Sequence, residues 1–160
     1  MSADTPLPTA KDVRELVEML VGREVTVETG GAMVDPAARA LVGVYVDRGM
    51  RLVAVVLLDV PLAAYVGAAL GLVPARLAAE AAELGELPPA LAENAGEVLN
   101  VTASLFNAEG APHVRLDRVY QPGEPVPGDV APWVLAYVRR TDLTMSVAGY
   151  GEGAFSLLVL

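Results

Sequence analysis

Glu93, Glu97, Asn100 and Ser104 follow one another at steps of four, three and four residues. On a helix that spacing aligns all four side chains along one stripe. Glu97 and Asn100 are neighbours one turn apart, pointing the same way. A carboxylate accepts hydrogen bonds and carries charge, and a carboxamide both donates and accepts. A Glu/Asn stripe is also the ordinary solvated face of an amphipathic helix, and spacing alone does not separate that reading from a functional one. Two residue choices sit uneasily with that ordinary face. Gly96, beside Glu97, costs about 1 kcal/mol relative to Ala in a helix interior. Asn94, Asn100 and Asn107 all fall on this helix although Asn is a mediocre helix former. Close backbone packing would account for Gly96, which is expected at or near a helix contact.

Other chemistries lack their residues. His113 is the single histidine and there is no cysteine. No His dyad, zincin pair or Ser-His arrangement can be assembled, and no disulfide framework exists. Gly149-Tyr-Gly151-Glu-Gly153 has the look of a phosphate loop, but such a cradle needs a helix after it, and a strand pattern follows. A hairpin turn is the better reading. Asn100-Val-Thr102 is formally a glycosylation sequon without a secretory signal to give it meaning. Asp47 and Asp59 flank an apolar strand, with no third carboxylate at metal-ligand spacing. Eleven basic against twenty acidic residues leave a net charge of −9. That balance repels nucleic acid and anionic lipid, and Arg139-Arg140 reads as a strand end or turn.

The elements that must position the stripe can be placed from pattern. The 160-residue chain suits a single domain, 9–160, after a flexible N-terminus, 1–8, which lacks the basic and apolar regions of a signal peptide. Thr9 with Asp12 opens a first helix in capping-box fashion; Val13, Leu16, Val17 and Leu20 give its apolar face, and Gly22 closes it. Glu24 to Glu28 alternates as a short strand. Leu41–Val46 and Met50–Leu58 form a hairpin around Asp47-Arg-Gly49. Residues 52–75 carry one charge, Asp59, and are long enough to cross a bilayer. However, Asp59-Val-Pro61 is a helix start that divides the run into a strand buried on both faces and a packed helix. Helices are expected over 60–70, 75–84 and from Pro88-Pro89 to about Asn107. Leu91, Ala95, Val98, Thr102, Leu105 and Phe106 make the inner side of the last one. A strand His113–Tyr120 follows, then an irregular stretch, Gln121–Pro132, after which the strands Trp133–Arg140, Leu143–Ala148 and Ala154–Leu160 should complete an antiparallel meander. The fold class is therefore α+β, an antiparallel sheet packed with helices.

Gly96-Glu97-Val98-Leu99-Asn100-Val101-Thr102-Ala103 resembles the signature helix of CheX-type members of the CheC/CheX/FliY phosphatases, where Gly-Glu-x-x-Asn precedes Thr-Ala. The order of elements is similar from about residue 10 to 150, most closely over 59–107. One Glu-x-x-Asn in a chain of this length is more like CheX than CheC. The resemblance implies a cytoplasmic phosphatase that docks its helix on a phosphorylated CheY-like receiver. Glu97 would engage the receiver's lysine and Asn100 would orient water for in-line attack on the aspartyl phosphate. Glu93 and Ser104 would contact the partner. No cofactor of its own is implied, since magnesium would be carried by the receiver. Three departures stand out. Glu93 replaces the usual Asp or Ser, Pro122 lies one residue closer to Asn100 than the usual proline, and the segment after the helix is short. A non-catalytic CheX-like domain, binding a receiver or serving as a dimeric structural unit, is the alternative.

A 54% hydrophobic chain ending in apolar strands has more apolar surface than a small domain readily covers. CheX-like proteins also pair. A homodimer is expected, and light scattering at micromolar concentration should report twice the 16.6 kDa chain mass; the single mass would refute it.

Overall fold

The computed structural model describes residues 4–160. Its ten main elements run α1 (Ala10–Val21), β1 (Val25–Thr29), β2 (Ala40–Val46), β3 (Leu52–Asp59), α2 (Val60–Leu70), α3 (Ala75–Leu84), α4 (Pro89–Thr102), β4 (Arg115–Tyr120), β5 (Arg139–Val147) and β6 (Gly151–Val159). The six strands form one antiparallel sheet in the order β1-β5-β6-β3-β2-β4. The expected α+β class is what the chain adopts.

Local signals explain most of the boundaries. The Thr9 hydroxyl accepts from the Asp12 amide, Asp12 accepts from the Thr9 amide, and Gly22 closes α1 in the left-handed region. Asp59 caps α2 by accepting from the Leu62 amide at 2.9 Å, with Pro61 in the first turn. The same carboxylate accepts from the Ala154 amide at 2.9 Å, tying the start of α2 to β6. Burial pushes the Asp59 carboxyl up, opposed by those two backbone bonds. Asp47 accepts from the amides of Gly49 and Arg51 inside the β2–β3 hairpin. Both carboxylates that flank β3 are thus occupied by backbone.

The apolar run 52–75 divides as expected. Along β3, Ala54, Val56 and Leu58 enter the core beneath the helices, whereas Val55 and Leu57 enter a second cluster on the opposite sheet face. Among the described residues, no helix is long and apolar enough to cross a membrane.

The C-terminal half departs from a simple meander. β4 lies at one edge of the sheet against β2, while β5 and β6 form a hairpin on its other side. The strand expected over Trp133–Arg140 is absent from 133–138: a 3₁₀ turn covers Ala131–Trp133 and β5 begins only at Arg139. Pro125, Pro127 and Pro132 lack the amide a ladder requires. Arg140 donates instead to the carbonyls of Val134 and Ala136, at 3.1 and 2.8 Å. The stretch turns Val130 and Val134 into the second cluster and so covers the helix-free face. Residues 4–8 are tied to β5, with Thr5 and Pro8 accepting from Arg139 and Thr141. Of the segment read as flexible, residues 1–3 lie outside the described part.

One polar network anchors this covering. Arg140 pairs with Asp142 through two bonds of 2.7 and 2.9 Å, their side chains only 8% and 13% exposed. Ser156 donates to Asp142 at 2.7 Å and accepts from the Val34 amide at 2.9 Å. Removing one partner leaves a nearly buried charge unanswered. Asp142→Ala should therefore cost about 3–5 kcal/mol in denaturant unfolding and speed amide exchange over 121–138. Loss below about 1 kcal/mol with unchanged exchange would show that the network does not hold the stretch.

Candidate functional site

α4 is entered through Pro88-Pro89, where the missing proline N–H costs nothing because a first-turn amide has no helical partner. Its inner side is the one expected: Leu91, Ala95, Val98, Thr102 and Phe106 are buried, with Leu105 half-buried. The helix tightens into a 3₁₀ turn at Ala103, whose amide donates to Asn100 rather than to Leu99. The Leu99 carbonyl instead accepts the Tyr45 hydroxyl at 2.7 Å, reaching up from β2. Burial pushes the Tyr45 hydroxyl far above its ordinary value, so it remains a donor. Its ring packs on Phe106 with centroids 5.0 Å apart. Opposite, Gly43 leaves room for Leu99: a Cβ there would lie 3.3 Å from the leucine methyl. The residue preceding Asn100 is therefore locked to the sheet.

Glu93, Glu97, Asn100 and Ser104 are all exposed on the outer side. Glu97 and Asn100 stand about 5–6 Å apart at Cβ, as helical neighbours do. None of the four side chains forms a hydrogen bond or ion pair with another described residue. The other two asparagines of this segment behave differently. Asn94 donates to the Gly67 carbonyl on α2 at 3.0 Å. Asn107 donates to Ala103 and Val114 and accepts from the Val114 amide at 2.8 Å, bridging the end of the helix to the approach of β4. Two asparagines thus have structural work and Asn100 has none within the chain.

Gly96 is not at a close contact: a Cβ there would meet nothing within 4 Å. The close helix approach lies elsewhere, where the Cβ of any residue replacing Gly67 would strike the Leu91 carbonyl and one replacing Gly71 would strike Asn94. Gly96 instead leaves the outer side of α4 low beside Glu97, open to an approaching partner backbone.

Sequence patterns did not reveal the surroundings of Glu93. It borders a hollow of about 580 Å³ whose walls include Arg39, Gln121 and Pro122. Arg39 has φ 70° and ψ 116°, an unusual backbone for a residue with a side chain. Its amide donates to the Pro36 carbonyl at 3.0 Å, while its side chain forms no hydrogen bond or ion pair with a described residue. Asp35 caps the short 3₁₀ turn Pro36–Ala38 that leads to Arg39. Pro122, shifted by one residue, still reaches the flank of α4.

The remaining sequence candidates resolve into structure. His113 is exposed in the loop before β4. The run Gly149–Gly153 forms the β5–β6 turn and the start of β6, where a Cβ on Gly153 would lie 2.7 Å from the Leu62 amide nitrogen. Thr102 is buried and donates to Val98 at 2.7 Å, so its hydroxyl is engaged within the helix. Among the described residues no three His, Cys, Asp or Glu side chains gather as a metal site.

An α+β domain with a rigidly backed helix bearing a bare Glu/Asn pair is the class that fold and geometry define. Solved structures give it a place. The chain is similar to the middle domain of Vibrio alginolyticus FliM, with TM-score 0.56 and 10% identity over 92% of this chain and 86% of that one. Thermotoga maritima FliY aligns with TM-score 0.52 and 16% identity, over 92% and 81% of the two chains. FliM from the H. pylori FliM–SpeE complex gives 0.55 and 10%, over 94% and 80%. No family sequence model matches the chain, and no curated protein matches it by sequence. The chain shares its fold with the FliM middle domain and FliY.

The unequal engagement of the asparagines makes a stability prediction. Asn100→Ala and Glu97→Ala should stay within about 0.5 kcal/mol of the parent, as exposed changes usually do. Asn107→Ala should cost about 1–3 kcal/mol, because two backbone groups of Val114 lose their partner. Thermal melts check the contrast, and equal losses at positions 100 and 107 would contradict it.

Proposed function

We propose that this chain is a CheX-like phosphatase that accelerates hydrolysis of the aspartyl phosphate on a CheY-like receiver in chemotaxis or related two-component signalling. The observation that carries the reading is Asn100, exposed and unengaged one turn from an equally bare Glu97. It stands on a helix whose opposite side is bonded to the sheet at the adjacent residue. A helix that cannot shift holds its outer side chains in a preorganised geometry, which lowers the orientational cost of aligning a water.

In this mechanism the outer side of α4 docks on the receiver, and Gly96 lets the two backbones approach. The Glu97 carboxylate pairs with the receiver's active-site lysine. The Asn100 carboxamide holds a water in line with the bond from phosphorus to the aspartyl oxygen. The water oxygen bonds to phosphorus as that bond breaks; the aspartate leaves as carboxylate, and both of the water's protons go to the inorganic phosphate, released as dihydrogen phosphate. Magnesium belongs to the receiver in this scheme, so this chain's part is positioning. Glu93 and Ser104 contact the partner at the two ends of the stripe, and Arg39 stands beside Glu93 as a free cation in an otherwise acidic neighbourhood. A cytoplasmic homodimer goes with this reading.

The test follows phosphate release from each phosphorylated receiver of the host, alongside receiver binding. Asn100→Ala should lower the acceleration by about 10²-fold or more with binding retained, as when a positioned transition-state donor is lost. Glu97→Ala should weaken binding and turnover together. Glu93→Gln should mainly change the salt dependence of binding. Full activity in Asn100→Ala would disprove the mechanism. Receiver binding by the parent chain with no change in dephosphorylation would instead identify a non-catalytic binding domain.

A further inference from the structure

A second surface, between α3 and the turn leading into α4, has its own character. The buried alanines Ala78 and Ala81 pack α3 against Ala64 and Ala68 of α2. Leu77, Ala81 and Leu84, spaced four and three, form an adjoining stripe on the same helix. That stripe walls an apolar groove of about 580 Å³ floored by Val73, Leu87 and Leu91. Leu77 remains 38% and Leu84 72% exposed, so the groove is uncovered. Its rim is acidic. Glu80 and Glu86 line it, and Glu83 follows on α3. These three carboxylates are exposed and form no ion pair with a described residue.

From this combination we infer that the groove docks a cationic amphipathic helix of a partner protein. Its leucines would seat between Leu77, Leu84 and Leu91, and its lysines or arginines would meet Glu80 and Glu86. An apolar helix stripe in a groove is a standard mode of recognition, and the volume suits a few large side chains. The charge selects the partner. Carboxylates around an apolar floor favour flanking cations and repel an acidic helix or an anionic lipid surface. A small polar ligand fits poorly, because the side chains facing the groove add only the Glu80 and Glu86 carboxylates to its apolar walls. A second copy of this chain also fits poorly. Its helix carrying Lys11 and Arg14 buries its apolar face, Val13, Leu16 and Val17, in its own core. The inference stands on the groove alone and does not depend on the phosphatase reading.

The test uses a fluorescein-labelled four-turn peptide of leucine and lysine, with leucines at helical spacing. Its controls are a scrambled isomer of equal charge and an analogue with glutamate for lysine. Fluorescence anisotropy with the full chain should show the amphipathic lysine peptide binding at least about 10-fold more tightly than either control. Leu84→Asn should weaken it by about 10-fold. Glu80→Gln with Glu86→Gln should weaken it and flatten its salt dependence. All three positions are exposed, so circular dichroism melts should be unchanged. Absence of peptide binding overturns the inference, as does equal binding of the scrambled isomer. Undiminished binding by both variants would place the peptide elsewhere and overturn it too. Light scattering in which Leu84→Asn alone converts a dimer to a monomer would assign the groove to a second copy instead.

Discussion

β2, β3 and β6 are apolar on both faces, and a sheet of that kind is stable only when both faces are covered. The helices cover one side. Among the described residues no α-helix covers the other, because the apolar faces of α1 to α4 are committed to the first side or to one another. The irregular stretch between β4 and β5 meets that need with Val130 and Val134 rather than with a regular element. Its own backbone bonds are only short-range turns, so side chains tie it to the sheet, and the Arg140–Asp142–Ser156 network supplies them from β5 and β6. Charge placed at the margin of the core thus holds the cover over the strands that support the helices.

The helix side obeys a second constraint, the closeness of α2 and α4. Gly67 and Gly71 remove side chains from the crossing, and Asn94 crosses it to bond the Gly67 carbonyl. Tyr45 then fixes α4 from below at the point where its α-helical ladder gives way to a tighter turn. Helix, sheet and neighbouring helix together leave α4 one free side. The bare Glu/Asn pair occupies it, and the packing beneath holds the pair in one orientation that a loosely packed helix would not keep.

Much of this was legible from residue order because the signals are local. The Thr9–Asp12 box, the Asp59-Val-Pro61 start and the glycine that closes α1 act within one helical turn. The inner side of α4 follows from helical periodicity, which also turns Glu93, Glu97, Asn100 and Ser104 outward. Gly96 was misleading: a glycine inside a helix suggests tight packing equally with an open surface, and only the neighbours distinguish them. Asn94, Asn100 and Asn107 look alike in sequence, yet the partners of two of them lie on α2 and just before β4.

Residue order by itself therefore determined the α+β class, the limits of α1, α2 and α3 and the apolar sides of α1 and α4, all consequences of backbone propensity, capping and period. Tertiary structure decided which strand lies beside which. β4 lies at the edge beside β2, and Val134 joins the cover of the second face while Arg140 satisfies the carbonyls of Val134 and Ala136 in place of a strand. It also separated the asparagine left free from the two that are bound, and brought Arg39 and Pro122 to the flank of Glu93. Such pairings join residues far apart in sequence, and only the packed arrangement sets the distances across which they act.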